Sequence, residues 1–251
     1  MKEALITGAT SGIGEGLAKA LAEKGYSLIV SGRNEEKLNE LKNSLNVPVT
    51  IVPCDLAESS APLVKIIQER VPDLVINNAG FGQYGEAINY PTKEQTDIVK
   101  VNCLELLTLT IEAGKALKQA GKPGTILNIS SAGGFQPFPY FAVYVASKAF
   151  VTSLTTSLHE ELASSNIRVL AACPGVVKTN FSMRASPKHV RKERPATMTL
   201  EYAVNRIMKQ LETGKTIDIF DWRYKLMVYA GRITPDWMIC KLLKNSLKGE
   251  Y

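Results

Sequence analysis

The stretch Gly8-Ala9-Thr10-Ser11-Gly12-Ile13-Gly14 lies between an apolar run, residues 4–7, and a helical pattern over residues 13–24. Glycines at these places allow a tight turn and let the backbone approach a pyrophosphate, whose charge is stabilised at the N-terminus of the following helix. The spacing is GxxxGxG rather than the commoner GxGxxG, so the motif alone is weak evidence. Its position directly after the first strand and before a helix favours a dinucleotide-binding turn.

The same alternation of short apolar runs and helical patterns continues along the chain. Several runs are apolar almost throughout, as expected for a parallel sheet that is covered on both faces. Alternating strands and helices predict an α/β protein with a Rossmann-type, doubly wound, seven-stranded parallel sheet and helices on both faces. The predicted strands are 4–7, 27–31, 49–52, 74–77, 125–129, 169–172 and 216–220, and the predicted helices are 13–24, 35–45, 60–70, 93–119, 143–164 and 200–213.

Length and composition favour one globular domain over residues 1–251. The chain is 45% hydrophobic and 22% charged, with a net charge of +6, which excludes collagen-like, disordered and disulfide-framework proteins. Its basic residues are mostly interspersed with acidic ones, so no nucleic-acid partner is expected. The 4 cysteines lie far apart without a CxxC pair. This spacing predicts a reduced, cytoplasmic protein without a metal site.

Two segments stand apart from the regular alternation. Residues 181–198 are polar, basic and proline-containing, and we interpret them as a loop that serves as a substrate flap. Residues 222–251 form an apolar tail whose helical pattern is interrupted at Pro235. We expect this tail to cover the substrate cleft or a subunit interface. Membrane-surface binding is the less favoured alternative, because exposed apolar patches also mark protein contacts.

The end of the second strand indicates which dinucleotide is bound. A site for NAD usually has Asp or Glu about 20 residues after the glycines, where it holds the ribose 2′-hydroxyl. Here the sequence is Ser31-Gly32-Arg33-Asn34, and Arg33 can bind a 2′-phosphate in a bidentate manner. We therefore expect NADP(H) to be preferred over NAD(H), unless Arg33 is only a solvated surface residue. Asp55 follows the third strand and either binds the adenine amino group or caps a helix.

Tyr144 and Lys148 are candidates for the chemical step. Four residues apart on a helix, they share one face. A nearby ammonium stabilises a phenolate, so the sequence predicts a pKa of Tyr144 shifted toward neutrality and a general acid or base. Ser131 closes the fifth predicted strand, 13 residues before Tyr144.

Taken in order, these motifs resemble those of the short-chain dehydrogenases/reductases, in the single-domain branch of about 250 residues. The later part of the chain resembles a bacterial subgroup of DltE-type short-chain dehydrogenases. The matching positions are residues 7–14, Asp55, residues 77–80, Asn102, Ser131, Tyr144, Lys148, Pro174, Gly175 and Thr179.

The resemblance implies a role for each matched residue. Tyr144 is the general acid/base, and Ser131 polarises the substrate oxygen. Lys148 binds the nicotinamide ribose and lowers the pKa of the tyrosine, while Asn102 supports a water-linked proton relay. The residues implied to bind the cofactor are Gly8, Thr10, Ser11, Gly12, Ile13, Gly14, Arg33, Asp55, Leu56, Asn78, Ala79, Gly80, Tyr144, Lys148, Pro174, Gly175, Val177 and Thr179.

The expected activity is an NADP(H)-dependent oxidoreductase that transfers hydride between nicotinamide and a carbonyl/alcohol pair. The alternatives are a non-catalytic NADP(H)-binding sensor or scaffold, which has no need to keep a proton donor, and an epimerase or dehydratase. The resemblance also favours a homodimer or homotetramer formed through the helices 93–119 and 143–164.

Aromatic residues near the catalytic positions predict a bulky, apolar ketone, an aldehyde or a 3-oxoacyl-type substrate. The basic residues between 184 and 194 leave room for an acidic handle on that substrate, although a solvated loop is the favoured interpretation. The aromatic residues are Phe135, Phe138, Tyr140, Phe141 and Tyr144.

Overall fold

The computed structural model of the chain describes residues 1–185 and 196–246. One seven-stranded sheet runs through it in the order β3-β2-β1-β4-β5-β6-β7, and every neighbouring pair is parallel. The predicted Rossmann-type, doubly wound sheet is confirmed. The strands are β1 Glu3–Thr7, β2 Ser27–Gly32, β3 Val49–Pro53, β4 Leu74–Asn77, β5 Gly124–Ile129, β6 Ile167–Cys173 and β7 Ile217–Ile219.

The helices begin and end close to the predicted positions. Asn34 caps the second helix by accepting a hydrogen bond from the Lys37 N–H at 2.8 Å. Gly25 follows the first helix in the left-handed region, with φ +78°. The helices are α1 Gly12–Glu23, α2 Glu35–Asn43, α3 Ala61–Arg70, α4 Thr92–Val99, α5 Leu106–Gln119, α6 Ala142–Leu162, α7 Asn180–Ala185, α8 Leu200–Thr213, α9 Trp222–Ile233 and α10 Asp236–Ser246.

The hydrophobic core lies on both faces of the sheet. Successive strand residues point to opposite faces, so Ile6 packs with α1, α2 and α8, whereas Leu5 packs with α3, α5 and α6. Covering both faces explains why the strands are apolar almost throughout. The order of the strands reverses between β1 and β4, and at such a point a ligand crevice opens beyond the carboxyl ends of the strands.

The structure differs from the predicted helix over residues 93–119 at one place. Between α4 and α5, the segment Lys100–Glu105 is a π-helix. A single π-turn barely changes the apolar pattern, so sequence periodicity did not reveal it. Such turns are frequent at functional sites, and this one contains Asn102.

The two atypical segments are partly described. The first was expected to be a loop, but its first residues belong to the short helix α7. Residues 186–195, with most of the expected flap and of the basic loop, lie outside the described residues. Met198 pairs with Val177 in an isolated parallel bridge. The tail contains α9 and α10, separated near Pro235 as predicted. In the described part of the chain, no helix combines the length and apolarity needed to cross a membrane.

Candidate active site

The glycine-rich turn has the conformation that the sequence predicts. Gly8 and Gly12 have φ values of +65° and +57°, which glycine adopts without steric cost. At Gly14, a Cβ atom would lie 2.4 Å from the Gly8 carbonyl oxygen. Helix α1 therefore packs against the turn more closely than any residue with a side chain would allow.

Thr7 and Asn78 fix this turn to the end of β4. The Thr7 hydroxyl oxygen accepts hydrogen bonds from the N–H groups of Asn78 and Ala79 at 3.0 and 2.9 Å. The Asn78 side-chain amide donates to the carbonyl oxygens of Thr7 and Gly8 at 2.9 and 3.2 Å. The side chain of Asn78 thus holds the turn. Sequence reasoning gave no role to Thr7, whose partners lie about 70 residues away.

The end of β2 lies beside the turn. A Cβ atom at Gly32 would come within 2.8 Å of the Thr10 methyl group, and Ala9 donates a backbone hydrogen bond to Ser31 at 2.9 Å. The next residue, Arg33, is exposed and has no hydrogen bond or ion pair with another described residue. Ser11 makes no side-chain hydrogen bond at the N-terminus of α1. These two side chains are available to a phosphate at this end of the crevice.

Asp55 does not cap a helix, the simpler of its two predicted roles, since α3 begins at Ala61 with Ser60 as its N-cap. Its carboxylate accepts a hydrogen bond from the Ala57 N–H at 2.9 Å and so closes a local turn after β3. The residue is exposed, and the neighbouring Leu56 is buried. The geometry leaves the second carboxylate oxygen of Asp55 at the surface.

The segment after β6 faces both the glycine turn and the catalytic residues. Thr179 lies opposite Gly12, where a Cβ atom would be 3.4 Å from its methyl group. Pro174 accepts a backbone hydrogen bond from Ala132 at 2.9 Å, next to Ser131. The Tyr224 ring lies 2.1 Å from where a Cβ atom of Gly175 would be, so only glycine fits there. The predicted residues after β6 are thereby brought to the crevice, with Val177 buried behind them.

Ser131, Tyr144 and Lys148 come together as predicted. The Ser131 hydroxyl is near enough to Tyr144 to lower the pKa of its phenol, and it accepts a hydrogen bond from the Gly133 N–H at 3.1 Å. The Lys148 ammonium donates to the Ile129 carbonyl oxygen at 2.7 Å and lies 5.6 Å from the centroid of the Tyr144 ring. The end of β5 and one face of α6 therefore supply a proton donor, a polar hydroxyl and a buried amine.

The pKa of Tyr144 departs from the prediction. Burial raises the pKa of the phenol above its ordinary value, nearby Tyr84 raises it further, and the hydrogen bond with Ser131 acts in the opposite direction. Burial also lowers the pKa of Lys148, to about 8. The prediction of a near-neutral Tyr144 is wrong for this structure, because burial raises the pKa of the phenol more than the neighbouring Ser131 hydroxyl lowers it. Tyr144 is a protonated phenol at neutral pH.

Asn102 is fully buried in the π-helix. Its amide donates to the Phe81 carbonyl and to the Ser147 hydroxyl at 2.9 and 3.0 Å, and its oxygen accepts from the Phe81 N–H at 3.1 Å. Gly80 lies between Asn102 and Lys148, since a Cβ atom there would be 3.0 Å from the Asn102 oxygen and 3.4 Å from the Lys148 nitrogen.

Aromatic rings surround Tyr144 on its substrate side. Phe141 is stacked between Tyr84 and Tyr144, with centroid distances of 3.6 and 4.3 Å. Phe181 of α7 lies 5.4 Å from the Tyr144 ring, and Phe138 packs in the same cluster. We call Tyr84, Phe138, Phe141 and Phe181 the aromatic wall.

The aromatic residues between 135 and 144 do not all belong to the aromatic wall. Phe135 packs in a different cluster, together with Val228 of α9, and so is not part of the aromatic wall. The sequence did not point to Tyr84 and Phe181, which lie far from Tyr144 along the chain.

The chain is similar to known oxidoreductases in sequence. Residues 2–189 match the family model described as short chain dehydrogenase. An uncharacterized oxidoreductase of Staphylococcus epidermidis is 36% identical over 185 residues, which are 71% of this chain and 79% of that protein.

Solved structures of dehydrogenases share the fold. A short-chain dehydrogenase from Sphingobium yanoikuyae in complex with NADPH superposes with a TM-score of 0.81 at 26% identity, over 92% of this chain and 94% of that one. For the bulky-bulky ketone specific alcohol dehydrogenase from Comamonas testosteroni the TM-score is 0.78 at 25% identity, over 92% of both chains. For a 4-hydroxyisoleucine dehydrogenase complexed with NADH it is 0.77 at 25% identity, over 88% and 97%.

Proposed function

This chain belongs to the short-chain dehydrogenase family of oxidoreductases, and from that premise we propose that it is an NADP(H)-dependent enzyme for a bulky, apolar carbonyl/alcohol pair. The observation that carries the proposal is the grouping of Ser131, Tyr144 and Lys148 at the end of β5 and on one face of α6, with the Lys148 ammonium 5.6 Å from the centroid of the Tyr144 ring. A sensor or scaffold has no need of this arrangement.

In the proposed reaction, bound NADP(H) supplies or accepts the hydride. During reduction, the Tyr144 hydroxyl donates its proton to the carbonyl oxygen of the substrate, and the Ser131 hydroxyl donates a hydrogen bond to the same oxygen. The raised pKa of Tyr144 keeps this proton in place at neutral pH. For alcohol oxidation, the Tyr144 hydroxyl would first have to release its own proton, toward the Lys148 amine 5.6 Å from the centroid of its ring. The Tyr144 oxygen would then accept the proton of the alcohol, and Asn102 would support a water-linked relay from Lys148.

The residues of the crevice fit a dinucleotide. The turn Gly8-Ala9-Thr10-Ser11-Gly12-Ile13-Gly14 would hold the pyrophosphate with its backbone N–H groups. Asp55, Leu56 and residues 78–80 would face the adenosine, and Pro174, Gly175, Val177 and Thr179 would face the nicotinamide. Ser11 and Arg33 would bind the 2′-phosphate, because both are available and β2 ends without a carboxylate. One similar structure contains NADPH and another contains NADH, so the fold does not decide between the two cofactors. We propose that Arg33 does.

Replacing Arg33 by alanine should weaken NADPH binding by about 10–150-fold and leave NADH binding nearly unchanged, because a hydrogen bond to a charged group contributes on the order of 1.5–3 kcal/mol. Titration of both cofactors by fluorescence measures the effect. Lys42→Ala, an exposed cation on α2, is the matched control and should alter neither affinity. Equal losses for the two cofactors with Arg33→Ala would show that Arg33 does not select between them.

The aromatic wall supports an apolar substrate. Phe141 and Phe181 contact the Tyr144 ring, and Tyr84 and Phe138 pack against Phe141. A cleft lined by such rings favours apolar ligands that a few polar groups orient. The Comamonas testosteroni enzyme that shares the fold is specific for bulky ketones, which agrees with this proposal. A 3-oxoacyl-type substrate is the alternative, whose acidic handle the basic residues between 184 and 194 would bind. Of these basic residues, only Arg184 lies within the described part of the chain.

A panel of ketones and aldehydes graded by size, followed by NADPH oxidation, tests the substrate class. We expect kcat/KM to rise with apolar bulk. Phe181→Ala should lower kcat/KM by about tenfold for the bulkiest ketone and by much less for the smallest, because less apolar surface is buried. Phe150→Ala, an aromatic residue that is 40% exposed on α6, should change neither. Faster turnover of small polar sugars than of long-chain or cyclic ketones would contradict an apolar substrate.

The assembly and the location stay predictions. A homodimer or homotetramer would use the helices α4 to α6, where Leu104 and Phe150 are exposed apolar residues. Sedimentation equilibrium distinguishes these assemblies from a monomer. The DltE-type subgroup and the cytoplasmic location have no support beyond the sequence.

A further inference from the structure

Helix α9 has an apolar stripe on its outer face. The residues Trp222, Leu226, Tyr229 and Ile233 are 70%, 62%, 60% and 87% exposed. Their spacing of four, three and four residues puts them on one side of the helix. Large apolar residues at such spacing usually face a core, so a solvent-facing stripe of four needs an explanation.

The opposite face of α9 is attached to the body of the protein. Val228 is fully buried. The Tyr224 hydroxyl accepts a hydrogen bond from the Val176 N–H at 3.0 Å and donates to the Ala196 carbonyl oxygen at 3.2 Å. These contacts set the rotation of the helix about its axis. The stripe is therefore held outward by the packing of the other face.

Helix α10 adds apolar and basic residues to the same part of the chain. Ile239 is buried, while Trp237 and Leu242 are 67% and 65% exposed. Residues 222–246 contain 5 Lys and Arg but a single acidic residue, Asp236. The cations Arg232, Lys241 and Lys244 are exposed. We give the name tail surface to the exposed apolar and basic residues of the two helices, which are Trp222, Leu226, Tyr229, Arg232, Ile233, Trp237, Lys241, Leu242 and Lys244.

We propose that the tail surface binds the interface of an anionic membrane. Trp and Tyr prefer the level of the lipid headgroups, Leu and Ile enter the acyl boundary, and Lys and Arg attract anionic lipids. A second copy of the chain is a poorer partner, because a twofold contact would place this basic surface against itself. The family model ends at residue 189, so the tail surface lies outside the part of the chain that defines the family.

Flotation of the intact protein with vesicles tests the proposal without using the reaction. The probes are vesicles of phosphatidylcholine alone and vesicles in which about a third of the lipid is phosphatidylglycerol. We expect the protein to float with the anionic vesicles and to bind them at least tenfold more tightly than the neutral ones. Protein that stays unbound at every concentration of anionic vesicles would overturn the proposal.

A matched pair of isoleucines locates the binding surface. Ile233→Gln on the tail surface should lower the partition coefficient by about tenfold, whereas Ile88→Gln should leave it unchanged, although Ile88 is 91% exposed. Lys241→Gln with Lys244→Gln should cost about tenfold or more on anionic vesicles, in contrast to Lys42→Gln with Lys118→Gln. Equal effects within either pair would contradict the assignment. Sedimentation showing that the double variant Leu226→Gln, Ile233→Gln dissociates a dimer would also contradict the assignment, because the stripe would then be a subunit interface.

Discussion

Replacing Tyr144 by phenylalanine should lower turnover by at least about 10²–10⁴-fold, because the variant lacks the positioned acid that protonates the carbonyl oxygen. The substitution removes only the hydroxyl that Ser131 contacts. The ring can keep its stacking on Phe141, so the fold and NADPH binding should survive. NADPH oxidation with one accepted ketone gives the turnover, and fluorescence titration gives the affinity.

Tyr202→Phe is the control for this experiment. Tyr202 is exposed on α8, so loss of its hydroxyl should leave turnover unchanged. Ser131→Ala should also lower turnover with little change in cofactor affinity, since its hydroxyl faces the substrate. If Tyr144→Phe kept more than about a tenth of the wild-type turnover, Tyr144 would not be the general acid, because that loss should be at least ~10².

Replacing Lys148 by methionine should reduce turnover by a similar factor and at the same time stabilise the fold. The amine is 4% exposed, and burial lowers its pKa from 10.5 to about 8. Below pH 8 the folded protein must carry a buried charge that the unfolded chain keeps in water, so the cost is largest there and disappears above about pH 10.5. Methionine removes this cost and also the hydrogen bond to Ile129, so we expect a net gain of about 1–3 kcal/mol at pH 7.

Unfolding in denaturant at pH 7 and pH 10 measures this gain, which should shrink at the higher pH. In the wild type, alcohol oxidation should rise with pH through about 8, where Lys148 loses its proton, and the variant should lack this step. Lys215→Met, which removes a half-exposed lysine paired with Asp218, is the contrasting variant and should not be stabilised. A Lys148→Met protein that is less stable at pH 7, with an unchanged pH profile, would contradict the role of the buried amine.

Local patterns in the sequence predicted the sheet, the glycine turn and the proximity of Tyr144 and Lys148. Uninterrupted apolar runs indicate strands covered on both faces, and the glycines at positions 8, 12 and 14 are required by a turn within one short segment. The Tyr144 and Lys148 spacing is a helical repeat. Such features depend on residues close in the chain, which is why the sequence sufficed.

The features that the sequence did not predict depend on contacts between distant segments. Thr7 holds the end of β4, and Tyr84 and Phe181 join the cluster around Tyr144 from the segment after β4 and from α7. The π-turn at Asn102 leaves the apolar periodicity almost intact. The pKa of Tyr144 was mispredicted because the depth of burial, which is the main cause of its rise, is a property of the whole packing.

Transfer of deuterium from NADPH to product tests the central claim most directly. The protein would be incubated with NADPH deuterated at the transferred position and with an accepted ketone, and the alcohol would be analysed by mass spectrometry. We predict an alcohol with a single deuterium, formed in step with the NADPH consumed. Binding of NADPH without any alcohol would show a sensor or scaffold, and altered product without net NADPH consumption would show an epimerase or dehydratase; either result contradicts the proposed reductase.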